Sequence, residues 1–217
     1  MTITTRPPSA RTNGGPANPA QEPLSTQDNT RLVRRAGVAV AVGAATWAAS
    51  LATVGNMPTS DPGIMISDLT GLVFQLGLFV LVTAQLRTRA TGTSRAAVGL
   101  LKVEYGLLSL AAIWSVLHGL VPAFRDDLWL AILDVFWPLS MRGMAVIGVK
   151  ILFTRRWRGL ARIWPAIAET WALVTIPSMG IFGQTAGRWI GVGHLVVGYL
   201  VLGLILALRP SLAADRD

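Results

Sequence analysis

Apolar residues fill six stretches of this chain, at about 36–54, 63–86, 97–121, 127–153, 163–182 and 189–208, with short polar connections between them. Each is close to the ~20 residues that a helix rising ~1.5 Å per residue needs to cross ~30 Å of hydrocarbon. The runs are continuous, so helices are predicted; membrane strands would alternate polar and apolar side chains over ~10 residues. Residues 1–30 read differently. Pro, Thr, Asn and Gly are frequent there and large apolar side chains almost absent, so a disordered tail is predicted. No apolar run follows the first few residues, and no signal peptide is expected. The predicted organisation is a disordered cytoplasmic tail at 1–30, a six-helix transmembrane domain at 31–210 and a short cytoplasmic tail at 211–217. The fold class is an all-α polytopic bundle.

Basic residues set the expected orientation. Arg6, Arg11, Arg31, Arg34 and Arg35 precede the first span; Arg87, Arg89 and Arg95 occupy the second connection. Arg155, Arg156, Arg158 and Arg162 occupy the fourth, and Arg209 and Arg216 follow the last span. The other three connections hold only Arg125 and Arg188. By the positive-inside rule both termini are expected in the cytoplasm. This placement also changes the meaning of the net charge of +8. A basic balance can mark nucleic-acid binding, but here it lies in the tail and alternate loops, so the expected partner is the lipid bilayer and no nucleic acid. Only 14% of residues are charged and 52% are hydrophobic, with mean hydropathy +0.53. A soluble chain carries about a quarter charged residues. Cysteine is absent, which excludes disulfides, thiol catalysis and iron–sulfur ligation. Arginine outnumbers lysine 17 to 2, a bias that suits a GC-rich bacterial genome and hence a multi-pass protein of a bacterial cytoplasmic membrane.

Four carboxylates interrupt the apolar segments, one to a segment: Asp68, Glu104, Asp134 and Glu169. An ionisable side chain inside a span costs roughly 2.5–3.5 kcal/mol on insertion scales and normally faces the bundle interior. These four are the candidate catalytic residues. Asp68 and Asp134 fall early in spans two and four, and Glu104 and Glu169 follow them by 36 and 35 residues. The matched spacing suggests a parallel tandem repeat of spans 2–3 and 4–5, as in some transporters. Hairpins of similar size would also give it by chance. Depth along the helices puts Asp68, Asp134, His118 and His194 in the outer half with Trp47, Trp114 and Trp137. Glu104, Glu169, Tyr105 and Trp171 fall in the inner half, and Arg142 near mid-span. Asp68 and Asp134 are expected to share an aromatic-walled cavity, with Trp47, Trp114, Trp137, Trp171, His118, His194 and Arg142 as candidate substrate-binding residues. The competing reading is that the acids only tie helices together, by pairing with Arg142 or with His, Ser and Thr neighbours. Trp129, Trp157, Trp164 and Trp189 sit at span ends and are expected in the interfacial belt. Ala41, Ala45 and Ala49 repeat every four residues and would permit close helix contact.

Several chemistries lack their motifs. Gly191-Val-Gly193 lacks a third glycine and lies within a span, so no dinucleotide or phosphate loop is present. HExxH is absent, and two histidines make no zinc site without carboxylates. Neither cofactor nor metal is expected.

The stretch Asp134-Val-Phe-Trp-Pro-Leu-Ser-Met141, followed by Arg155-Arg-Trp-Arg-Gly159 and Trp164-Pro165, resembles small six-span actinobacterial membrane proteins, mostly without assigned activity. More distantly, the chain resembles small membrane-bound terpene cyclases in size, span number, intramembrane acids and aromatic richness. That resemblance implies an enzyme acting on an apolar, isoprenoid-type small molecule by proton-initiated cyclisation. The chemistry requires an acid held neutral until use, which an apolar setting favours, and aromatic faces to stabilise cations. The alternatives are a small-solute or proton-coupled carrier, which at six spans would form a homo-oligomer, and a non-catalytic partner subunit. Pro138 and Pro177 within spans suit the carrier.

Overall fold

A computed structural model describes the backbone of residues 22–214 and the side chains of 27–214. Every regular element among them is helical. In chain order these are α1 (Glu22–Thr53), α2 (Asp61–Arg87), α3 (Arg95–Leu120), a 3₁₀ turn (Pro122–Phe124), α4 (Leu128–Asp134), α5 (Phe136–Thr154), α6 (Gly159–Ala168), α7 (Trp171–His194), a π-helical turn (Leu195–Leu200), α8 (Val201–Leu208) and α9 (Ser211–Ala214). Five segments are long and apolar enough to cross a membrane: Gln27–Thr53, Asp61–Arg87, Arg95–Leu120, Leu128–Thr154 and the 50-residue Gly159–Leu208. Their outer faces carry bare large apolar side chains such as Val42, Leu76, Ile113, Val146 and Phe153. Water would penalise that surface, whereas hydrocarbon accepts it.

Local chemistry accounts for the boundaries. Pro62 and Asp61 open α2, where a missing N–H does no harm and a carboxylate complements the helix dipole. Ser94 caps α3 by accepting from the Ala97 N–H at 3.2 Å. Pro138 has no N–H to offer the Asp134 carbonyl, and the helix breaks there into α4 and α5. The last long segment doubles back where the sequence places the connection between the fifth and sixth apolar stretches. Gly183 adopts φ 82° and ψ 168°, a conformation open essentially to glycine alone. Residues equidistant from it then meet: Gly187 lies against Met179, Gly191 against Thr175 and Gly198 against Ala168. α7 is therefore two antiparallel arms.

The helices close a ring: α1 packs on α2, α2 on α3, α3 on α4 and α5, α5 on α6, and α6 on the π turn and α8, which return to α1. The tightest closure is glycine on glycine. Gly203 of α8 sits directly on the backbone of Gly37 and Ala41 in α1.

Several expectations are corrected. The first helix begins at Glu22, inside the stretch read as a disordered tail; residues 1–21 lie outside the described residues. The C-terminal stretch read as a tail carries α9, whose Ala213 and Ala214 are buried and whose Leu212 carbonyl accepts from Arg158 N–H at 2.8 Å. Ala45 and Ala49 are exposed, and the close contacts of α1 run instead through Gly37, Ala41 and Gly43. Trp157 is fully buried, its indole N–H donating to Thr88 Oγ1 at 3.0 Å, so it is no belt residue. Trp164 likewise donates to the Val197 carbonyl at 2.9 Å, whereas Trp129 and Trp189 are exposed at helix ends.

Candidate functional site

The arginine-poor end of the ring comprises the α1–α2 loop, the α3–α4 connection and the Gly183 turn. Below it lies a cavity of about 220 Å³. Its walls come from Trp47 and Leu51 of α1, Ser67, Asp68 and Gly71 of α2, and Trp114 and Ser115 of α3. Asp134 of α4, Trp137 of α5 and Trp171, Ile176 and Met179 of α7 complete it, with Asn56 and Met57 at the loop. Counting ~1.5 Å per residue from the helix ends, Asp68, Trp47 and Trp114 all lie about 9–10 Å down. Asp68, Asp134 and all four deep tryptophans therefore reach one space.

Three of the indoles form a mutually packed cluster. Trp47 and Trp171 have ring centroids 4.8 Å apart, Trp137 and Trp171 5.5 Å, and Trp47 and Trp137 5.6 Å. Phe74 stacks behind Trp47 at 5.1 Å. Trp171 is pinned by its N–H donating to the Gly191 carbonyl across the α7 hairpin at 2.9 Å. Trp171 was expected deeper than this layer. By helix rise its backbone starts ~18 Å from Gly183, yet its indole lines the cavity and packs on Trp47 and Trp137.

The two aspartates differ in state. Asp68 Oδ2 is 2.6 Å from His118 Nδ1, and His118 stacks on Trp114 at 4.7 Å. The histidine is held in turn by Arg125, whose Nε donates to the His118 carbonyl at 2.8 Å while Nη1 binds Asp61 at 2.6 Å. Asp134 has no hydrogen-bond or ion-pair partner among the described residues. It sits at the α4–α5 break, so its own carbonyl is also freed by Pro138. A fixed pair and a free carboxyl thus face one aromatic wall.

The other candidate acids lie elsewhere. Glu104 and Glu169 are fully buried in a second polar layer, ~16 Å below Ser115 by helix rise. Ser140 donates to Glu104 at 2.5 Å, and Gln85 donates to Glu169 at 3.1 Å. Gly143 and Gly148 of α5 make room for the two carboxyls. Neither glutamate has a cationic partner among the described residues, and neither lines the cavity. His194 is also outside it, with Nε2 3.3 Å from Thr170 Oγ1. The hairpin turn sets its depth ~16 Å from Gly183, nearer mid-bundle than expected. Arg142 is exposed on the outside of α5 and contacts none of the four acids, because the break at Asp134 turns that face outward.

Sequence reasoning missed Gln75 and Asn56. Gln75 is fully buried behind the cavity, donating to Ser115 Oγ at 3.0 Å, and Asn56 forms part of the rim. The available signal was an uncharged polar residue inside an apolar span, two helical turns after Asp68. Comparison with known protein families, curated proteins and solved structures finds no match for this chain.

Proposed function

We propose that the chain crosses a bacterial cytoplasmic membrane six times with both ends inside, and that it cyclises a small isoprenoid in the tryptophan-walled cavity. The observation that carries this reading is a carboxyl without a hydrogen-bond or ion-pair partner among the described residues, Asp134, on the wall of a cavity built largely from indoles. Asp134 gives its O–H proton to one carbon of an alkene, forming a C–H bond and leaving a cation on the neighbouring carbon. A second double bond of the same chain closes on that cation. The Asp134 carboxylate, or Asp68 through its pair with His118, then takes a proton from a carbon next to the final cation, and a double bond forms. The product is an isomer of the substrate, so no oxidant or cofactor is consumed. Indole faces stabilise the passing cations. The cavity accommodates the reacting part of a short isoprenoid rather than a long polyprenyl chain.

The parallel repeat belongs to the same proposal. What supports it is that Asp68 and Asp134 reach one cavity while Glu104 and Glu169 are both fully buried. A proton-coupled carrier is the second reading, favoured by those two buried glutamates without a cation. The test is terpenoid profiling of cells expressing the full chain against its Asp134→Asn variant. Removing a general acid should lower product by about 10²–10⁴-fold with membrane insertion intact. Undiminished product from the variant, or none from the parent, would overturn the cyclase reading.

A further inference from the structure

The two arginines at the arginine-poor end differ in what they hold. Arg125 is committed to Asp61 and to the His118 carbonyl. Arg188, just past the Gly183 turn, has no carboxylate partner among the described residues. Its guanidinium lies 5.2 Å from the Trp189 ring centroid, and its Nε is buried without an acceptor. A guanidinium stays charged, and a desolvated N–H left unmet is costly until an acceptor arrives.

Arg188 faces a pocket of about 360 Å³ between the α1–α2 loop and the second arm of α7. No acid lines it; Asn56, Gln184 and Thr185 supply uncharged polar groups. The Asn56 side chain amide donates to the Gln184 carbonyl at 3.4 Å, which ties the loop to the hairpin, while its Oδ1 is buried and unpartnered. Gly55, at φ 99°, lets the backbone approach the guanidinium with no side chain between. Asn56 and Met57 also line the tryptophan cavity, so the cationic pocket adjoins the apolar one.

We infer that the Arg188 pocket is an anion site, seating the phosphate-type head of a single-chain amphiphile whose hydrocarbon end lies among the tryptophans. Arginine forms paired hydrogen bonds to phosphate oxygens, and the indole-walled cavity beside it takes the tail. The anion site stands on its own geometry; its place in a substrate site rests on the cyclisation reading.

The test uses the full chain in phosphatidylcholine nanodiscs, titrated with geranyl monophosphate, geraniol and inorganic phosphate and followed by tryptophan fluorescence. Geranyl monophosphate should bind at least about tenfold tighter than geraniol, the scale of one charge-assisted contact. R188Q should erase that difference, R188K should lose only part of it, and R156Q, on the opposite loop, should keep it. Doping the discs with phosphatidylglycerol separates the sources. Competition through Arg188 assigns the seat to a lipid head group, and its absence assigns it to the soluble amphiphile. Equal binding of geraniol and geranyl monophosphate, or an R188Q variant that binds like the parent, overturns the anion site. Loss of binding in R188Q with full turnover in Asp134→Asn leaves the anion site standing and removes the cyclase. The converse pair of results does the reverse.

Discussion

The contact between Gly203 and α1 allows one substitution, glycine to alanine, to be given opposite signs at different positions. A methyl group on Gly203 would lie 2.6 Å from the Gly37 oxygen and the Ala41 nitrogen, and 2.8 Å from Ala41 Cβ. Ordinary contacts fall at 3.4–4 Å, and the obstacles are backbone that cannot rotate away. α8 must therefore withdraw by about 1 Å, and overpacking of this kind costs ~1–3 kcal/mol. Gly106 of α3 has nothing within 4 Å of such a methyl, so only the helix preference of alanine remains, a gain of ~0.5–1 kcal/mol. Gly183 also has open space, but its φ of 82° would strain an alanine by ~1–3 kcal/mol. Thermal unfolding of the three variants in one detergent, read by tryptophan fluorescence, checks the order. Gly106→Ala should melt at or above the parent. Gly203→Ala should melt below it by about 2–12 °C, allowing ~2–4 °C per kcal/mol for a chain of this size. A Gly203→Ala protein as stable as Gly106→Ala would show that the α1–α8 contact is not closed.

Two further outcomes follow from the site and the hairpin. A double-mutant cycle with Asp68→Asn and His118→Gln should give a coupling of ~1.5–3 kcal/mol in unfolding stability, the range for hydrogen bonds to charged groups; a coupling near zero would reduce the 2.6 Å contact to packing. Reporter fusions near residues 58, 125 and 186 should give an external signal and fusions near 92 and 156 a cytoplasmic one, and a cytoplasmic signal at 186 would mean that the Gly183 turn does not reach the far side.

Much of the bundle could be read along the chain, because apolar length and helix rise are one-dimensional quantities. Asp68, Trp47 and Trp114 could be assigned to one layer from their distances to helix ends. Direction around a helix was harder. Arg142 and Ala45 sit at sensible depths but face outward, since the break at Pro138 and the Gly37–Gly203 contact decide which faces turn in. The reversal between the fifth and sixth stretches was legible from Gln184, Thr185 and Arg188; that one positive φ at Gly183 makes the turn was not. Glu104 and Glu169 were recognised as intramembrane acids, but their partners Ser140 and Gln85 are uncharged and drew no attention. Trp157 sits beside arginines at a span end, so only its contact with Thr88 separates it from a belt residue.

The Gly37–Gly203 closure also imposes an order on biosynthesis. α1 is made about 150 residues or more before α8, yet α8 covers the glycine face of α1. At ~5–20 residues per second, that face stays bare in the bilayer for on the order of ten to thirty seconds. Until then the ring is an open arc, and the walls of the tryptophan cavity contributed by α7 are also missing. A chain stopped before Val201 would hold most of its helices and still leave the first without its closing partner. Completion of the last hairpin is thus the event at which a nascent chain becomes a closed bundle, and the same event seals the site.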